Sequence, residues 1–301
     1  MAEAETMVTV FTPTYNRAHT LPRLFNTLHY QTCKNFEWLI VDDGSSDHTE
    51  SLVKEWMNNE HSFPIRYYKV QNGGKMRAIN IGASLAKGDY FCGIDSDDWF
   101  NEDAIFNILE AFISIKARKN IVGVSFAYNL DTPIISKEAK IDYVDCKNFD
   151  RKAFGIASDR ILIFYTDIMR RYRIPVWKDE KFTPESVFID QMALDGYKMR
   201  YYSKAIYGGE YLNDGLTTNS WRLLRDNPMG YAMMYNIHMQ YHNRVRHKLH
   251  DIIQFISCCC IKGEYLHSFK CHYSLCVPFL FLPGYVLAQR RKRQFKKYCP
   301  K

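Results

Sequence analysis

Three carboxylates lie within four consecutive residues, Asp95-Ser96-Asp97-Asp98, directly after an apolar run that ends at Ile94. Carboxylates this close repel one another, so such a cluster is unfavourable unless a positive group lies among them. A hard divalent cation that also binds phosphate oxygens is the natural guest. The cluster therefore predicts a metal-diphosphate site, and an exposed acidic turn that caps the next helix is the alternative.

A second acidic group, Asp42-Asp43-Gly44-Ser45, follows the apolar run from Phe36 to Val41. A carboxylate at a strand end can accept hydrogen bonds from a base N–H or from ribose hydroxyls, as acidic residues do in nucleotide-binding folds. Because Asp, Gly and Ser all favour turns, a helix N-cap turn is the alternative.

The elements that must position these residues can be predicted from the pattern of apolar side chains. Short apolar runs alternate with amphipathic stretches, which predicts β-α units on a mostly parallel sheet. The runs are Met7 to Thr12, Phe36 to Val41, Ile65 to Val70 and Tyr90 to Ile94. Two packing helices are predicted, one burying Leu21, Leu24, Phe25 and Leu28, the other Ile105, Ile108, Leu109 and Phe112. Ligands of such open sheets bind at the carboxyl ends of the strands.

The alternation fades after about residue 205 into aromatic, histidine-bearing helical sequence. This change predicts a domain over residues 1–205 and a helical C-terminal extension over residues 206–301.

Four motifs in order resemble family 2 glycosyltransferases of the GT-A fold, over roughly residues 7 to 115. They are Thr12-Pro13-Thr14-Tyr15-Asn16-Arg17, Val41-Asp42-Asp43-Gly44-Ser45, Asn72-Gly73-Gly74-Lys75 and Asp95-Ser96-Asp97-Asp98. The resemblance implies an α/β/α sandwich with a mixed sheet, and inverting transfer of a sugar from a nucleotide-sugar donor.

The same resemblance assigns roles in nucleotide binding. Pro13 and Tyr15 are similar to the segment that lines the base, and Asp43 resembles the carboxylate that pairs with uracil, which favours a UDP-sugar. Lys75 would lie near the base or the diphosphate, and Asp95 occupies the first acidic position of the family's DxD motif.

The metal assignment also follows from the resemblance. Asp95 and Asp97 match the two acids of the DxD motif, with Asp97 expected to contact Mn²⁺ or Mg²⁺ directly. Asp98 would then either lie next to Asp97 without binding the metal directly, or contact the sugar.

The catalytic base is where the sequence departs from the family, whose members show Glu-Asp or Asp-Asp at the start of a later helix. Here Ser186 stands where the second acid is expected, so Glu185 is the first candidate and Asp190 the second. The alternative for Glu185 is an acid favoured in a helix's first turn beside Pro184. Asp214-Gly215-Leu216-Thr217 resembles a loop near the acceptor site, with a plain turn as the alternative.

Other nucleotide-dependent classes lack their motifs. Asn72-Gly73-Gly74-Lys75 is not a P-loop, because Met76 replaces the required Ser or Thr. No Gly-x-Gly-x-x-Gly follows the first strand, which argues against a dinucleotide-dependent dehydrogenase. A nucleotidyltransferase would need a basic, glycine-rich loop after the first strand, and residues 12 to 17 contain none.

Composition places further bounds on the protein. The formal charge of +7 is concentrated largely in the last dozen of the 301 residues, which argues against a nucleic-acid partner. Nine cysteines without paired spacing, and the lack of a signal peptide before the first strand, predict a reducing, cytoplasmic location.

The C-terminal region predicts contact with a membrane. An apolar stretch from Tyr273 to Ala288 is interrupted by Pro278, Pro283 and Gly284, which favours an interfacial or re-entrant segment over a span. A basic cluster follows: Arg290, Arg291, Lys292, Arg293, Lys296 and Lys297. A helix docked on the domain with a solvated basic tail is the alternative.

These features together predict a peripheral enzyme on the inner face of the cell membrane. Its acceptor would be a glycan or a polyprenyl-diphosphate-linked sugar in surface polysaccharide synthesis. The alternative is a catalytically silent nucleotide-sugar-binding subunit, which would keep Asp43 and Asp97 but lack a working base.

Overall fold

The computed structural model describes residues 7–128, 142–156, 159–209 and 220–298. The chain forms two compact units, each assembled from two segments. The first unit comprises Met1–Arg173 and Gly196–Tyr211, and the second comprises Ile174–Asp195 and Leu212–Lys301.

A mixed β-sheet of nine strands, counted over the described residues, forms the first unit. Its strands are β1 (Val8–Thr14), β2 (Phe36–Asp42), β3 (Ile65–Lys69), β4 (Tyr90–Gly93), β5 (Asp98–Phe100), β6 (Ile121–Tyr128), β7 (Tyr143–Cys146), β8 (Arg160–Tyr165) and β9 (Lys198–Gly209). Their spatial order is β3-β2-β1-β4-β8-β6-β9-β5, and β7 pairs with β9.

The four strands predicted from the apolar runs are confirmed, and they pair in parallel as β3-β2-β1-β4. Every residue of β2 is buried, as expected of a central strand covered on both faces. The register sets Thr14 beside Asp42, so β1 and β2 end together at one edge of the sheet. Antiparallel pairing of β8 with β4 and β6 makes the sheet mixed.

Helices of the first unit pack on this sheet through apolar faces. They are α1 (Leu21–His29), α2 (Thr49–Met57), α3 (Lys75–Leu85), α4 (Ala104–Ile115) and α5 (Thr166–Arg171). The predicted faces of α1 and α4 are confirmed, since Leu21, Leu24 and Leu28 of α1 are buried, as are Ile105, Ile108 and Phe112 of α4. Full burial of each such side chain contributes about 1.5–3 kcal/mol.

All regular secondary structure in the described residues of the second unit is helical. It contains α6 (Ser186–Leu194), α7 (Ser220–Asp226), α8 (Pro228–Tyr241), α9 (Val245–Lys262) and α10 (Val277–Tyr298), with 3₁₀ turns at Tyr265–Lys270 and Ser274–Cys276. Its core includes Met229, Ile252, Phe255, Ile256 and Cys258 to Cys260. The predicted helical C-terminal region is therefore confirmed.

Pro278, Pro283 and Gly284, which interrupt the apolar stretch in the sequence, lie within one helix, because α10 runs unbroken from Val277 to Tyr298. Gly284 faces α9, where an added Cβ would lie 2.5 Å from Cγ2 of Ile256. Pro283 lies on the exposed side, so the carbonyl that its missing N–H leaves unpaired can be hydrated. Among the described residues, no helix combines the length and apolar content needed to cross a bilayer.

Candidate functional site

The loops that follow β1 and β2 are joined by hydrogen bonds. Asn16 has a φ of 53°, a left-handed conformation that Asn tolerates better than most residues. Its side-chain oxygen accepts the Ser46 N–H at 2.8 Å, and its own N–H donates to Ser45 Oγ at 2.8 Å. Pro13 is half-buried and Tyr15 is 49% exposed, so the Tyr15 ring is accessible at this edge.

Asp42, the first acid of the second motif, stabilises the turn. It is fully buried, and its two oxygens accept the Ser45 N–H at 2.7 Å and the Tyr67 hydroxyl at 2.5 Å. Burial, together with the neighbouring Asp42, raises the pKa of Tyr67 and keeps the phenol protonated as a donor. Asp42 therefore serves the fold, although the sequence pairs it with Asp43.

Asp43 connects the end of β2 to the start of α3. Its oxygens accept the N–H groups of Gly73 at 2.7 Å and Gly74 at 2.8 Å, and Asn72 Nδ2 donates to it at 3.1 Å. Gly74 has a φ of 95°, which favours glycine at this position. A carboxylate has about four acceptor sites, so these three donors leave one for a ligand.

Lys75, the first residue of α3, contacts the acidic cluster directly. Its Nζ lies 2.8 Å from Asp95 Oδ1 and 2.9 Å from Oδ2. The side chains are 25% and 46% exposed, so solvent screens the pair and its net contribution to stability is small. Lys75 and Asp95 can therefore exchange partners with little loss of folding free energy.

The three carboxylates of the cluster differ in their surroundings. Burial raises the pKa of Asp97, and the neighbouring Asp95 adds to the effect. Burial also raises the pKa of Asp98 to about 8, with further contributions from Asp95 and Asp97. Asp98 begins β5 and lies against Gly209 of β9, where an added Cβ would be 1.8 Å from Asp98 Oδ1.

Tyr128 completes this packing, since its hydroxyl donates to the Gly209 carbonyl. Tyr128 of β6 and Gly209 of β9 thus pack around Asp98, and Asp97 is the less buried of the two carboxylates. The requirement for glycine at position 209 cannot be read from the sequence motif.

The carboxylates fit a divalent cation in their donor chemistry. No complete set of three or more His, Cys, Asp or Glu ligands is assembled among the described residues. Mg²⁺ and related hard cations, however, are usually held by one or two carboxylates, with substrate phosphates and waters as the other ligands. Burial and, to a smaller extent, the neighbouring Asp95 raise the pKa of Asp97, and a bound cation would offset both effects by stabilising the ionised carboxylate.

The two candidate bases belong to α6 in the second unit. Glu185 is the N-cap residue of this helix and is half-buried, and its carbonyl accepts the Ile189 N–H at 3.4 Å. Asp190 is buried inside the helix, with Oδ2 3.8 Å from His238 Nε2 on α8. Glu185 is thus the more accessible carboxylate. The predicted acceptor loop at 214–217 lies outside the described residues.

Two residues that the sequence did not indicate hold the segment before Glu185. Asn227 Oδ1 accepts the N–H groups of Lys181 at 2.8 Å and Phe182 at 3.0 Å. Glu180 is buried, and its oxygens accept the N–H groups of Met229 at 3.0 Å and Gly230 at 2.9 Å. The only sequence feature near these residues that could be interpreted is Asn227-Pro228 at the start of α8. An Asn-Pro pair indicates a turn or a helix start, but it does not indicate the contacts with residues 180–182.

Solved structures resemble the chain in fold. Staphylococcus aureus TarS residues 1–349 in complex with UDP-GlcNAc is 15% identical, with a TM-score of 0.58 over 96% of this chain and 92% of that one. The Pyrobaculum calidifontis mannosyltransferase PcManGT, solved with GDP-Man and Mn²⁺, is 16% identical, with a TM-score of 0.57 over 95% and 82%. The mixed sheet and these neighbours define a GT-A fold.

The sequence matches the family described as "Glycosyl transferase family 2" over residues 9–172, more than half of the chain. The protein therefore belongs to glycosyl transferase family 2, a family of sugar-transferring enzymes. Among its relatives, GlyA of Streptococcus pneumoniae is 31% identical over 40% of this chain and 17% of its own length. An uncharacterized glycosyltransferase of Haemophilus influenzae is 31% identical over 46% and 48%. Each match covers less than half of the relative's length.

Proposed function

We propose that the protein is an inverting glycosyltransferase that moves a sugar from a UDP-sugar to a glycan or lipid-linked acceptor. The observation that carries this proposal is the arrangement at the carboxyl edge of β1, β2 and β4. There Asp43 accepts hydrogen bonds from the N–H groups of Gly73 and Gly74 before α3. Lys75, the first residue of the same helix, contacts Asp95 beside Asp97.

Recognition of the nucleotide would fall to the first two loops. The exposed Tyr15 ring and Pro13 provide a surface for the base, and Asp43 retains one acceptor site for a base N–H. Because Gly73 and Gly74 fix both oxygens of Asp43, its orientation is set before the donor binds. Uracil, with its N–H donor, suits this acceptor.

Lys75 and the acidic cluster would bind the diphosphate. The screened Lys75–Asp95 pair can open, which lets the ammonium turn to a phosphate oxygen. Asp97 and Asp95 would hold Mn²⁺ or Mg²⁺. Such an ion, when bound, neutralises charge on the leaving diphosphate.

The acceptor hydroxyl must lose a proton as it attacks the anomeric carbon, which requires a general base. Glu185 is proposed for this role because it stands at a helix N-terminus and is accessible, whereas Asp190 is buried beside His238. Direct attack inverts the configuration at the anomeric carbon.

The acceptor is proposed to be a glycan or a polyprenyl-diphosphate-linked sugar used in surface polysaccharide synthesis, and the enzyme to work peripherally on the cytoplasmic face of the membrane. A long, accessible C-terminal helix supports this location. Chondroitin synthase of Pasteurella multocida, another relative, is 30% identical over 43% of this chain and 13% of its own length.

Hydrolysis of the donor by water tests the chemistry without knowledge of the acceptor. We expect the purified chain to release free sugar from one UDP-sugar with inverted configuration, measured by NMR. Glu185→Gln should lower kcat by roughly 10²–10⁴-fold and leave donor affinity unchanged. Asp190→Asn is the matched control and should retain more activity. A wild-type protein that binds a UDP-sugar but never releases the sugar, with any acceptor, would indicate the silent-subunit function.

A further inference from the structure

Helix α10 has two faces of different character. The packed face, which contacts α9, buries Val277, Gly284, Ala288 and Phe295. On the opposite face Leu275, in the 3₁₀ turn before the helix, is followed by Phe279, Leu282 and Val286. This spacing of four, three and four residues forms one stripe along a helix. These four side chains are 88%, 83%, 70% and 42% exposed, respectively.

The same stripe changes from apolar to basic along the helix. Arg290, Arg293 and Lys297 continue it at the helical spacing and are exposed. The intervening Arg291 and Lys292 turn toward α9, where they donate to Gln254 Oε1 at 2.5 Å and to the Cys260 carbonyl at 3.0 Å. The outward basic residues are therefore distinct from those that hold the helix in place.

A neighbouring turn extends the apolar half. The 3₁₀ turn Tyr265–Lys270 packs beside the turn Ser274–Cys276, and it exposes Leu266 by 84% and Phe269 by 48%. No Asp or Glu occurs from Tyr265 to Tyr298. We call Leu266, Phe269, Leu275, Phe279, Leu282, Val286, Arg290, Arg293 and Lys297 the outer α10 surface. Exposed apolar patches of this kind mark interaction surfaces.

We propose that the outer α10 surface docks on a bilayer rich in anionic lipid, with the apolar N-terminal half of α10 inserted more deeply than its basic C-terminal half. The order of side chains matches the layers of a lipid surface, because apolar residues enter the acyl boundary while cations meet the phosphate headgroups. The absence of carboxylates removes repulsion from those phosphates. This proposal specifies the membrane contact of the proposed function, but it does not require sugar transfer.

Vesicle flotation of the purified full chain tests the proposal without donor or acceptor. We expect binding to vesicles of equal parts phosphatidylglycerol and phosphatidylcholine, and little binding to phosphatidylcholine alone. Phe279→Ser with Leu282→Ser should reduce binding by about tenfold or more. Arg293→Glu with Lys297→Glu should abolish the preference for the anionic vesicles.

The matched control is Phe106→Ser with Ile113→Ser on α4, which removes two apolar side chains that are 52% and 63% exposed elsewhere. It should bind vesicles like the wild type. Equal binding of all variants, or of the wild type to both vesicles, would overturn the proposal. A dimer lost in the Phe279/Leu282 variant, without vesicle binding by the wild type, would identify a second copy as the occupant instead. Donor hydrolysis in vesicle-free solution should be unchanged in every variant, which separates this test from that of catalysis.

Discussion

Asp43 in the first unit and Glu180 in the second hold the main chain in the same way. Each is buried, and each binds two consecutive N–H groups at a helix start, Gly73 and Gly74 before α3 and Met229 and Gly230 at α8. The helix dipole favours a negative charge at both places. Such a contact stabilises a loop–helix junction whether or not a ligand binds there.

The difference between the two lies in what surrounds them. Asp43 stands at the carboxyl edge of a parallel sheet beside accessible groups, whereas Glu180 is enclosed with Lys262 at 3.4 Å. Burial raises the pKa of Glu180, partly offset by its two N–H donors and Lys262. We therefore propose that the same kind of contact serves donor binding in the first unit and, in the second, only the fold and the placement of Glu185.

The matched substitutions Asp43→Asn and Glu180→Gln separate these two roles. Each substitution replaces a carboxylate oxygen that accepts a main-chain N–H with an NH₂ group, which cannot accept it. Losing a hydrogen bond to a charged group costs about 1.5–3 kcal/mol. Asp43→Asn should weaken UDP-sugar binding by a corresponding roughly 10- to 100-fold. Glu180→Gln should lower the free energy of unfolding but leave donor Kd unchanged. Calorimetry and urea unfolding measure the two quantities, and equal donor affinity in both variants would remove the distinction.

Gly88 tests how tightly the sheet of the first unit is packed at the amino ends of β1 and β4, the edge opposite the proposed donor site. An added Cβ would lie 2.5 Å from the Met7 carbonyl and 2.6 Å from the Thr9 N. Gly88→Ala should therefore destabilise the protein by about 1–3 kcal/mol in urea unfolding. Gly93→Ala is the control, since no atom lies within 4 Å of its Cβ position. Similar stability of the two variants would contradict the close approach.

Asn227 tests the placement of Glu185 in the second unit. Asn227→Leu removes the acceptor for Lys181 and Phe182 while keeping the branching and the number of heavy atoms of the side chain. We expect kcat to fall by about tenfold with donor Kd unchanged. Asn227→Asp keeps an oxygen for both N–H groups and should restore most of kcat. If a folded Asn227→Leu protein has wild-type kcat, then Asn227 does not position the base.

The comparison also explains what could be predicted from the sequence. The strands before Asp43 and Asp95 follow from continuous apolar runs, and the acids stand immediately after them, so local pattern was sufficient. Asn227 and Glu180 act across 46 and 49 residues of chain, with no pattern that marks the contact. Glu180 reads as part of the charged run Lys178-Asp179-Glu180-Lys181, which is typical of a solvated turn.

The continuity of helix α10 also could not be predicted from the sequence, but for a different reason. Proline and glycine interrupt the apolar stretch in the sequence, but the helix is continuous, because Gly284 allows close packing on Ile256 and Pro283 lies toward solvent. Tertiary packing therefore overrode local propensity. The outer α10 surface depends on this continuity, because its apolar and basic residues share one face only if the helix is unbroken.

The central claim is tested most directly by calorimetric binding of a panel of nucleotide sugars, with and without Mn²⁺, to the wild type and to Asp97→Ala. We predict that one UDP-sugar binds in a Mn²⁺-dependent manner and that Asp97→Ala weakens this binding by roughly 100-fold or more, since the variant loses a carboxylate ligand of the ion. Binding that is indifferent to both Asp97 and Mn²⁺, or no binding to any donor, would contradict the account.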